Sequence, residues 1–300
     1  MSYMLFFLAA CILIVACKQS SADSEEPTKT VTAKGATLEK LADGFSFTEG
    51  PAADAKGNVY FTDQPNNKIY IWTLQDSLTV FLDSSQRSNG LFFDDNGDLL
   101  ACADEHNRLV SIDMDGSFTV LVDNYEGKRL NAPNDLFPDP KGGIYFTDPF
   151  YKRPWWEHDS MYQDGMHVYY LNPDRETLIR VADDFDTPNG IIGTPDGKKL
   201  YVADIKAGKT YVYDVQDDGT LLNKQLFAPE GSDGMTIDHE GNVYLTTDAV
   251  KVYDPSGTLI QTIETPERPA NVCFGGQDRK TLFITARKSL YAISMRVHGV

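Results

Sequence analysis

The stretch Gly231-Ser-Asp-Gly-Met-Thr-Ile-Asp-His-Glu-Gly-Asn-Val-Tyr-Leu-Thr-Thr247 sets the pattern of the chain. It holds a polar anchor (Asp233-Gly234), a short apolar run, a tight turn at Glu240-Gly241-Asn242, and a second run of β-favouring residues. The same parts recur in the same order as Pro188-Asn189-Gly190-Ile191-Ile192, Pro195-Asp196-Gly197 and Leu200-Tyr201-Val202-Ala203-Asp204. Weaker copies surround Asn134-Asp135, Asn89-Gly90 and Glu49-Gly50, and the weakest surrounds Asn271.

The anchors stand at 49, 89, 134, 189, 233 and 271, in steps of 40, 45, 55, 44 and 38 residues. Between them, short β-branched and aromatic runs alternate with Gly, Asp, Asn and Pro turns, with almost no helical periodicity. Repeats of this length, each with four strands, are the signature of a β-propeller. The spacing predicts an all-β, six-bladed β-propeller over residues 36–300. Its last repeat lacks an outer strand, and the run Ala36–Asp43 is expected to supply it from the N-terminus, closing the ring and removing open sheet edges.

In such a blade the first strand lines the central channel, and successive strands run outward antiparallel. Every anchor opens or precedes a first strand, so Glu49, Asn89, Asn134, Asn189 and Asp233 are expected to converge on one mouth of the channel. Loops between second and third strands emerge on that same face, which brings Asp104–Arg108, Asp148–Tyr151 and Asp204–Lys206 around it. Two carboxylates with several carboxamide oxygens form a hard-oxygen set suited to one divalent cation, Ca²⁺ first and Mg²⁺ or Mn²⁺ next. Taken singly, each Asn-Gly or Asp-Gly pair reads as an ordinary turn. Their common register is what points to a site.

The longest step places extra residues after Asp148, including Tyr151, Trp155 and Trp156, in a loop over the mouth. These aromatics either stack on a substrate ring or pack on a neighbouring blade. Acidic turns such as Asp94-Asp-Asn-Gly97 and Asp113-Met-Asp-Gly116 lack the full twelve-residue calcium loop and read as hairpin turns. No Gly-x-Ser-x-Gly nucleophile elbow and no phosphate-cradling glycine loop occurs, so any hydrolysis is expected to be metal-assisted.

The formal net charge is −17, which repels phosphate backbones and argues against nucleic-acid binding. That acidity fits either cation binding or simple solubility. Residues 1–17 read as a lipoprotein signal: Leu5–Val15 is apolar or small throughout, and Ile14-Val15-Ala16-Cys17 resembles a bacterial lipobox with Cys17 as the lipidated residue. Residues 18–35, polar and rich in Ser, Glu, Thr and Pro, read as a tether. The expected product is an exported lipoprotein on the periplasmic or cell-surface side, monomeric, touching membrane only through its anchor. Cys102 and Cys273 fall in different repeats and are expected to be buried free thiols.

Leu130-Asn-Ala-Pro-Asn-Asp-Leu136 followed by Gly143-Ile-Tyr-Phe-Thr-Asp-Pro-Phe-Tyr151 resembles the gluconolactonase branch of the senescence marker protein/regucalcin/gluconolactonase superfamily. Phe47-Thr-Glu-Gly-Pro51, Asp104-Glu-His-Asn-Arg108, Pro188-Asn-Gly190 and Asp233-Gly-Met235 carry the same resemblance, which spans Leu38 to Ser294. It implies a six-bladed propeller with one catalytic divalent cation, usually Ca²⁺. It further implies Glu49, Asn189 and Asp233 as core metal ligands, Asn134 as a fourth ligand or substrate contact, and Asp233 as the acid/base residue. The family's substrate-contacting arginine has two candidates here, Arg129 and Arg87; Asn89, Tyr151 and Trp155 are further expected substrate contacts. The implied reaction is lactone hydrolysis, with Asp233 accepting a proton from the attacking water. The alternatives are phosphotriester or aryl-ester hydrolysis on the same scaffold, or a propeller that binds a ligand without chemistry.

Overall fold

The computed structural model describes Met1 and residues 30–300 of the chain. Among the described residues it has six four-stranded antiparallel sheets, a single short 3₁₀ turn at Gln64–Asn66, and a small hairpin of Asn124–Tyr125 with Lys128–Arg129. The sheets are the six blades of a β-propeller. Their innermost strands are Thr48–Ala53, Ser88–Phe93, Leu136–Pro138, Pro188–Gly193, Met235–Ile237 and Pro269–Gly275. Each begins at one face of the ring, and its anchor residue lies at or just before that beginning.

The ring closes as the last repeat's missing strand required. Glu39–Asp43 pairs antiparallel with Ser289–Ser294 and forms the outer strand of blade six. Packing starts earlier in the chain than residue 36, however. The Val31 side chain is fully buried against Val250, Val272 and Ile284, its amide donates to Gln261 Oε1 at 2.7 Å, and Thr32 bridges to Met295. The tether is therefore shorter at its C-terminal end than composition implied: a β-branched residue flanked by threonines finds an apolar slot that polarity averaging hides. The signal segment with Cys17, from residue 2 on, and the tether as far as residue 29 lie outside the described residues. Among the described residues no helix is long and apolar enough to cross a membrane.

Second strands such as Val59–Asp63, Leu99–Ala103 and Ile144–Asp148 are buried along their whole length, sandwiched between neighbouring blades. Outer strands such as Leu78–Leu82 are half-exposed. Cys102 and Cys273 are buried and unpaired. The acidic turns lie on the face opposite the anchors, and their carboxylates are committed to backbone: Asp54 Oδ1 accepts from the amides of Lys56, Gly57 and Asn58, and Asp94, Asp139, Asp238 and Asp254 act alike.

The glycines after the anchors have a role that a turn reading misses. Gly50, Gly90 and Gly190 sit inside strands, and Gly234 just before one, where neighbouring innermost strands come close around the axis. A Cβ on Gly90 would stand 2.6 Å from the Asn134 carbonyl oxygen, and one on Gly190 would stand 2.7 Å from that of Asp233. The Gly90 amide donates to Asn134 O at 2.9 Å, and Gly234 donates to Ala270 O at 2.8 Å. Threonines on second strands complete the lacing: Thr62, Thr147 and Thr246 donate their hydroxyls to the carbonyls of Asn89, Asn189 and Ala270 in the next blade. Pairing register also slips at these positions, between Glu49 and Ala52, Ser88 and Leu91, and Pro188 and Ile191. Such bulges re-aim a side chain, here the anchor, out of the ladder and into the channel.

Candidate functional site

Glu49, Asn89, Asn134, Asn189 and Asp233 line one open-mouthed cavity of about 680 Å³ at the channel entrance. All except the exposed Arg268 and Arg287 of its polar lining are at least half withdrawn from solvent, and Glu49, Asn89, Asn134 and Asn189 are buried. Asn271, the sixth and weakest anchor, is not part of this lining. It stands deeper with Asp135, on a second cavity of about 570 Å³ lined by Ala52, Leu91, Ile191, Met235 and Val272 and reaching the chain end at Val300.

The orientation of Asn189 is set by two donated bonds. Its Nδ2 donates to Tyr151 Oη at 2.9 Å and to Asp233 Oδ1 at 2.9 Å, which fixes the carboxamide and turns its Oδ1 away from both partners. That Oδ1 is buried without a hydrogen-bond partner, and so is Asn89 Oδ1. A buried polar atom left in this way costs about 1–3 kcal/mol unless something satisfies it. Beside these oxygens are two carboxyls, Glu49 buried and Asp233 partly so. Burial, then the facing Asp233 charge, pushes Glu49 well above its ordinary pKa, against the bond it accepts from the Gly50 amide. Burial also raises Asp233, moderated by the Asn189 bond and by the charges of Arg268, Arg153 and Arg287.

Like-signed carboxyls next to orphaned carboxamide oxygens form a donor set that a hard divalent cation satisfies, through Glu49, Asp233, Asn189 and either Asn134 or Asn89. Among the described residues no three His, Cys, Asp or Glu side chains cluster at metal-holding distances. The set here has two carboxylates, with amide oxygens making up the rest.

Tyr151 lines the same cavity. Burial holds its phenol well above the ordinary range, and because the hydroxyl accepts from Asn189, its own proton is left to donate into the cavity. Trp155 and Arg87 are elsewhere. The Arg87 guanidinium lies 4.3 Å over the Trp155 ring and donates to Pro65 O at 2.8 Å, and neither side chain lines the cavity. Arg129 sits 5.9 Å from the Tyr162 ring, on the outside of the same loop. Of the aromatics in that loop, Phe150, Trp156, His158 and Tyr162 pack on one another.

The arginines that do line the cavity are Arg153, Arg268 and Arg287. Arg153 is held by Asp104, Nε to Oδ2 at 2.8 Å; Asp104 also accepts from Gln64 Nε2, and its carbonyl accepts from Trp156 Nε1. Burial raises the Asp104 carboxyl to about 6 despite Arg153 beside it. Sequence reasoning named Asp104's loop as part of the mouth but none of these three arginines. For Arg287 the signal existed: it occupies the turn between the second and third strands of blade six, which topology places on the mouth face. Arg268 precedes a first strand, as the anchors do.

With this geometry in view, residues 47–288 match the family described as SMP-30/Gluconolactonase/LRE-like region. The chain is 29% identical over 294 residues to a gluconolactonase of Zymomonas mobilis, covering 87% of this chain and 82% of that protein. It is similar to the structure of a gluconolactonase from Xanthomonas campestris, at 31% identity and a TM-score of 0.84, over 88% of this chain and 91% of the other. A calcium-binding regucalcin of Agrobacterium tumefaciens shares the fold at 20% identity and a TM-score of 0.73, over 88% and 95% of the two chains.

Proposed function

The chain belongs to the SMP-30/gluconolactonase/LRE-like family, and from that premise we propose that it hydrolyses a lactone to the open hydroxy acid at the channel mouth. The observation that carries the reading is the pair of carboxyls, buried Glu49 and partly buried Asp233, set against the unpartnered oxygens of Asn189 and Asn89 in one open cavity. The gluconolactonases of Zymomonas mobilis and Xanthomonas campestris support the substrate class. Glu49, Asn134, Asn189 and Asp233 would hold one divalent cation, Ca²⁺ by analogy with the calcium-binding regucalcin relative, with Mg²⁺ and Mn²⁺ as alternatives for the same hard donors. When bound, that cation supplies Lewis-acid stabilisation of the negative charge that develops on the lactone carbonyl oxygen.

The chain's own residues do the rest. Asp233 takes a proton from water as the water oxygen bonds to the carbonyl carbon. When the ring C–O bond breaks, the same carboxyl returns the proton to the departing alkoxide, so one water is consumed and one hydroxy acid formed. Asn189 holds Asp233 in place through its amide. Tyr151 offers a hydroxyl donor, and Asn89 an amide, to the ring substituents. The test is glucono-1,5-lactone hydrolysis by the chelator-stripped protein, with Ca²⁺, Mg²⁺, Mn²⁺ or Zn²⁺ restored and spontaneous opening subtracted. Recovery of activity with a hard divalent ion is the expected result; no hydrolysis of any sugar lactone with any ion sinks the reading.

A further inference from the structure

We infer that the substrate carries, besides its lactone ring, a negatively charged oxyanion group, a carboxylate or a phosphate, received by Arg268 and Arg287; this rests on the lactone reading above. The chain has 27 Lys and Arg against 44 Asp and Glu. Yet the cavity lining contains three arginines and only two acidic residues, Glu49 and Asp233. Arg153 has its own counter-charge in Asp104. Arg268 and Arg287 feel the Asp233 charge through space but form no ion pair with any described carboxylate: Arg268 Nε donates to the Thr247 carbonyl at 3.1 Å, and the Arg287 guanidinium lies 5.9 Å from the Phe47 ring. Glu49 and Asp233 belong to the hydrolytic set, so they are not free to neutralise them.

Arg287 opens the turn between the second and third strands of blade six. It adopts φ +49°, in the left-handed region that non-glycine residues seldom occupy. The corresponding turns of blades one, two and four place Asn67, Asn107 and Gly208 in that region, residue types that tolerate it. Blade six has a long cationic side chain there instead, in a turn fixed by the bond from the Thr48 amide to the Arg287 carbonyl. Arg87, Arg175 and Arg279 adopt the same conformation away from the cavity, so it is the place of Arg287 on the cavity wall, not its turn, that sets it apart. Arg268 and Arg287 come from the two mouth-side connections of a single blade and are exposed, so they face a group that stays at the rim while the ring sits lower, over Asp233. A neutral sugar ring offers only hydroxyls. Two planar guanidinium forks suit a carboxylate or phosphate, with charge-assisted bonds that a hydroxyl cannot match.

The experiment compares kcat/KM for three lactones with the cation-loaded full chain: neutral glucono-1,5-lactone, the carboxylate-bearing glucaro-1,4-lactone, and the phosphate-bearing 6-phosphoglucono-1,5-lactone. The wild type is expected to favour one anionic lactone over the neutral one by roughly tenfold or more, and the identity of that lactone distinguishes carboxylate from phosphate. In an Arg268→Gln/Arg287→Gln double variant the anionic-to-neutral ratio falls by at least about tenfold, and an Arg268→Lys/Arg287→Lys variant recovers part of it. A ratio that is the same in wild type and Gln variant overturns the inference, because a merely structural role lowers all three substrates together. Should the wild type hydrolyse no lactone at all, the lactone reading fails by itself. Calorimetric binding of glucarate and of inorganic phosphate then decides the oxyanion site: weakening by about tenfold in the Gln variant sustains it, and equal binding removes it.

Discussion

The mouth and the floor of the central channel are lined by the same innermost strands, yet their chemistry is opposite. At the mouth stand Glu49, Asn89, Asn134, Asn189 and Asp233. Two or three residues further along those strands stand Ala52, Leu91, Ile191 and Met235, with Asp135, Thr236, Asn271 and Arg279 as polar members. In blades one, two and four a register slip spans the change, at Glu49/Ala52, Ser88/Leu91 and Pro188/Ile191. At the slip a residue is aimed into the cavity and is chosen for its oxygen atoms. Downstream, regular pairing resumes and the channel is filled as a core. One strand can therefore serve a reaction at one end and stability at the other, and substitutions on either side of the slip are expected to fail in different ways.

The largest effect belongs to the mouth. Asp233→Asn is expected to lower kcat/KM for a sugar lactone by at least about 10³-fold with little change in thermal stability, because it removes the proton acceptor and keeps the volume. Activity close to wild type in that variant would dissolve the functional half of the comparison. At the floor, Leu91→Ala is expected to cost about 3 kcal/mol in a denaturant titration through the cavity it leaves, with kcat/KM within roughly threefold of wild type. A loss of activity as deep as that of the mouth variant would show that the two zones are one unit.

A third, smaller effect separates the cavity from its rim supports. The Asp104 carboxyl is raised to about 6 by burial, so it is ionised above that pH and pulls on Arg153; as pH falls through about 6 it takes up a proton and the pull is lost. KM is expected to rise as pH drops through that point, while Asp104→Asn shows a KM raised about tenfold at every pH and no inflection there. For folding the sign is the reverse. Because the folded value exceeds the ordinary 3.8, this group's stabilising contribution is present below about 4 and is lost as pH rises through about 6. The smallest effect concerns Trp155, which stacks on Arg87 outside the cavity. Trp155→Ala is expected to change KM by less than about threefold and kcat not at all. A larger change in steady-state kinetics would mean that the aromatic loop closes over bound substrate.

Parts of the site were legible because residue type and spacing recur together. An oxygen-bearing side chain at the head of each first strand, once per repeat, specified both the ring and the convergence of Glu49, Asn89, Asn134, Asn189 and Asp233. The strand that closes blade six was legible for a similar reason: an unpaired run at one end of the chain matched a missing strand at the other. Arg153 was not, since it sits in the long insertion where no period exists to count, while Arg268 and Arg287 hold countable positions but are of a residue type that the repeat does not carry there. Arg87, two residues before Asn89, and Trp155, in the long loop after Asp148, showed the converse: neither side chain enters the cavity, and the two stack on each other instead.

By itself the sequence determined the all-β class, the number of blades, the face of the ring that carries the site, and the oxygen character of that site. These follow from local preferences repeated six times, and repetition is additive along a chain. Only the tertiary structure decided that the anchor glycines are close-approach positions rather than turns, that Asn271 belongs to the floor, that packing begins by Val31, and that three arginines ring the mouth. Each of these depends on which atoms of distant blades come within a few ångströms of one another. That distance is fixed by closure of the ring, not by any single repeat.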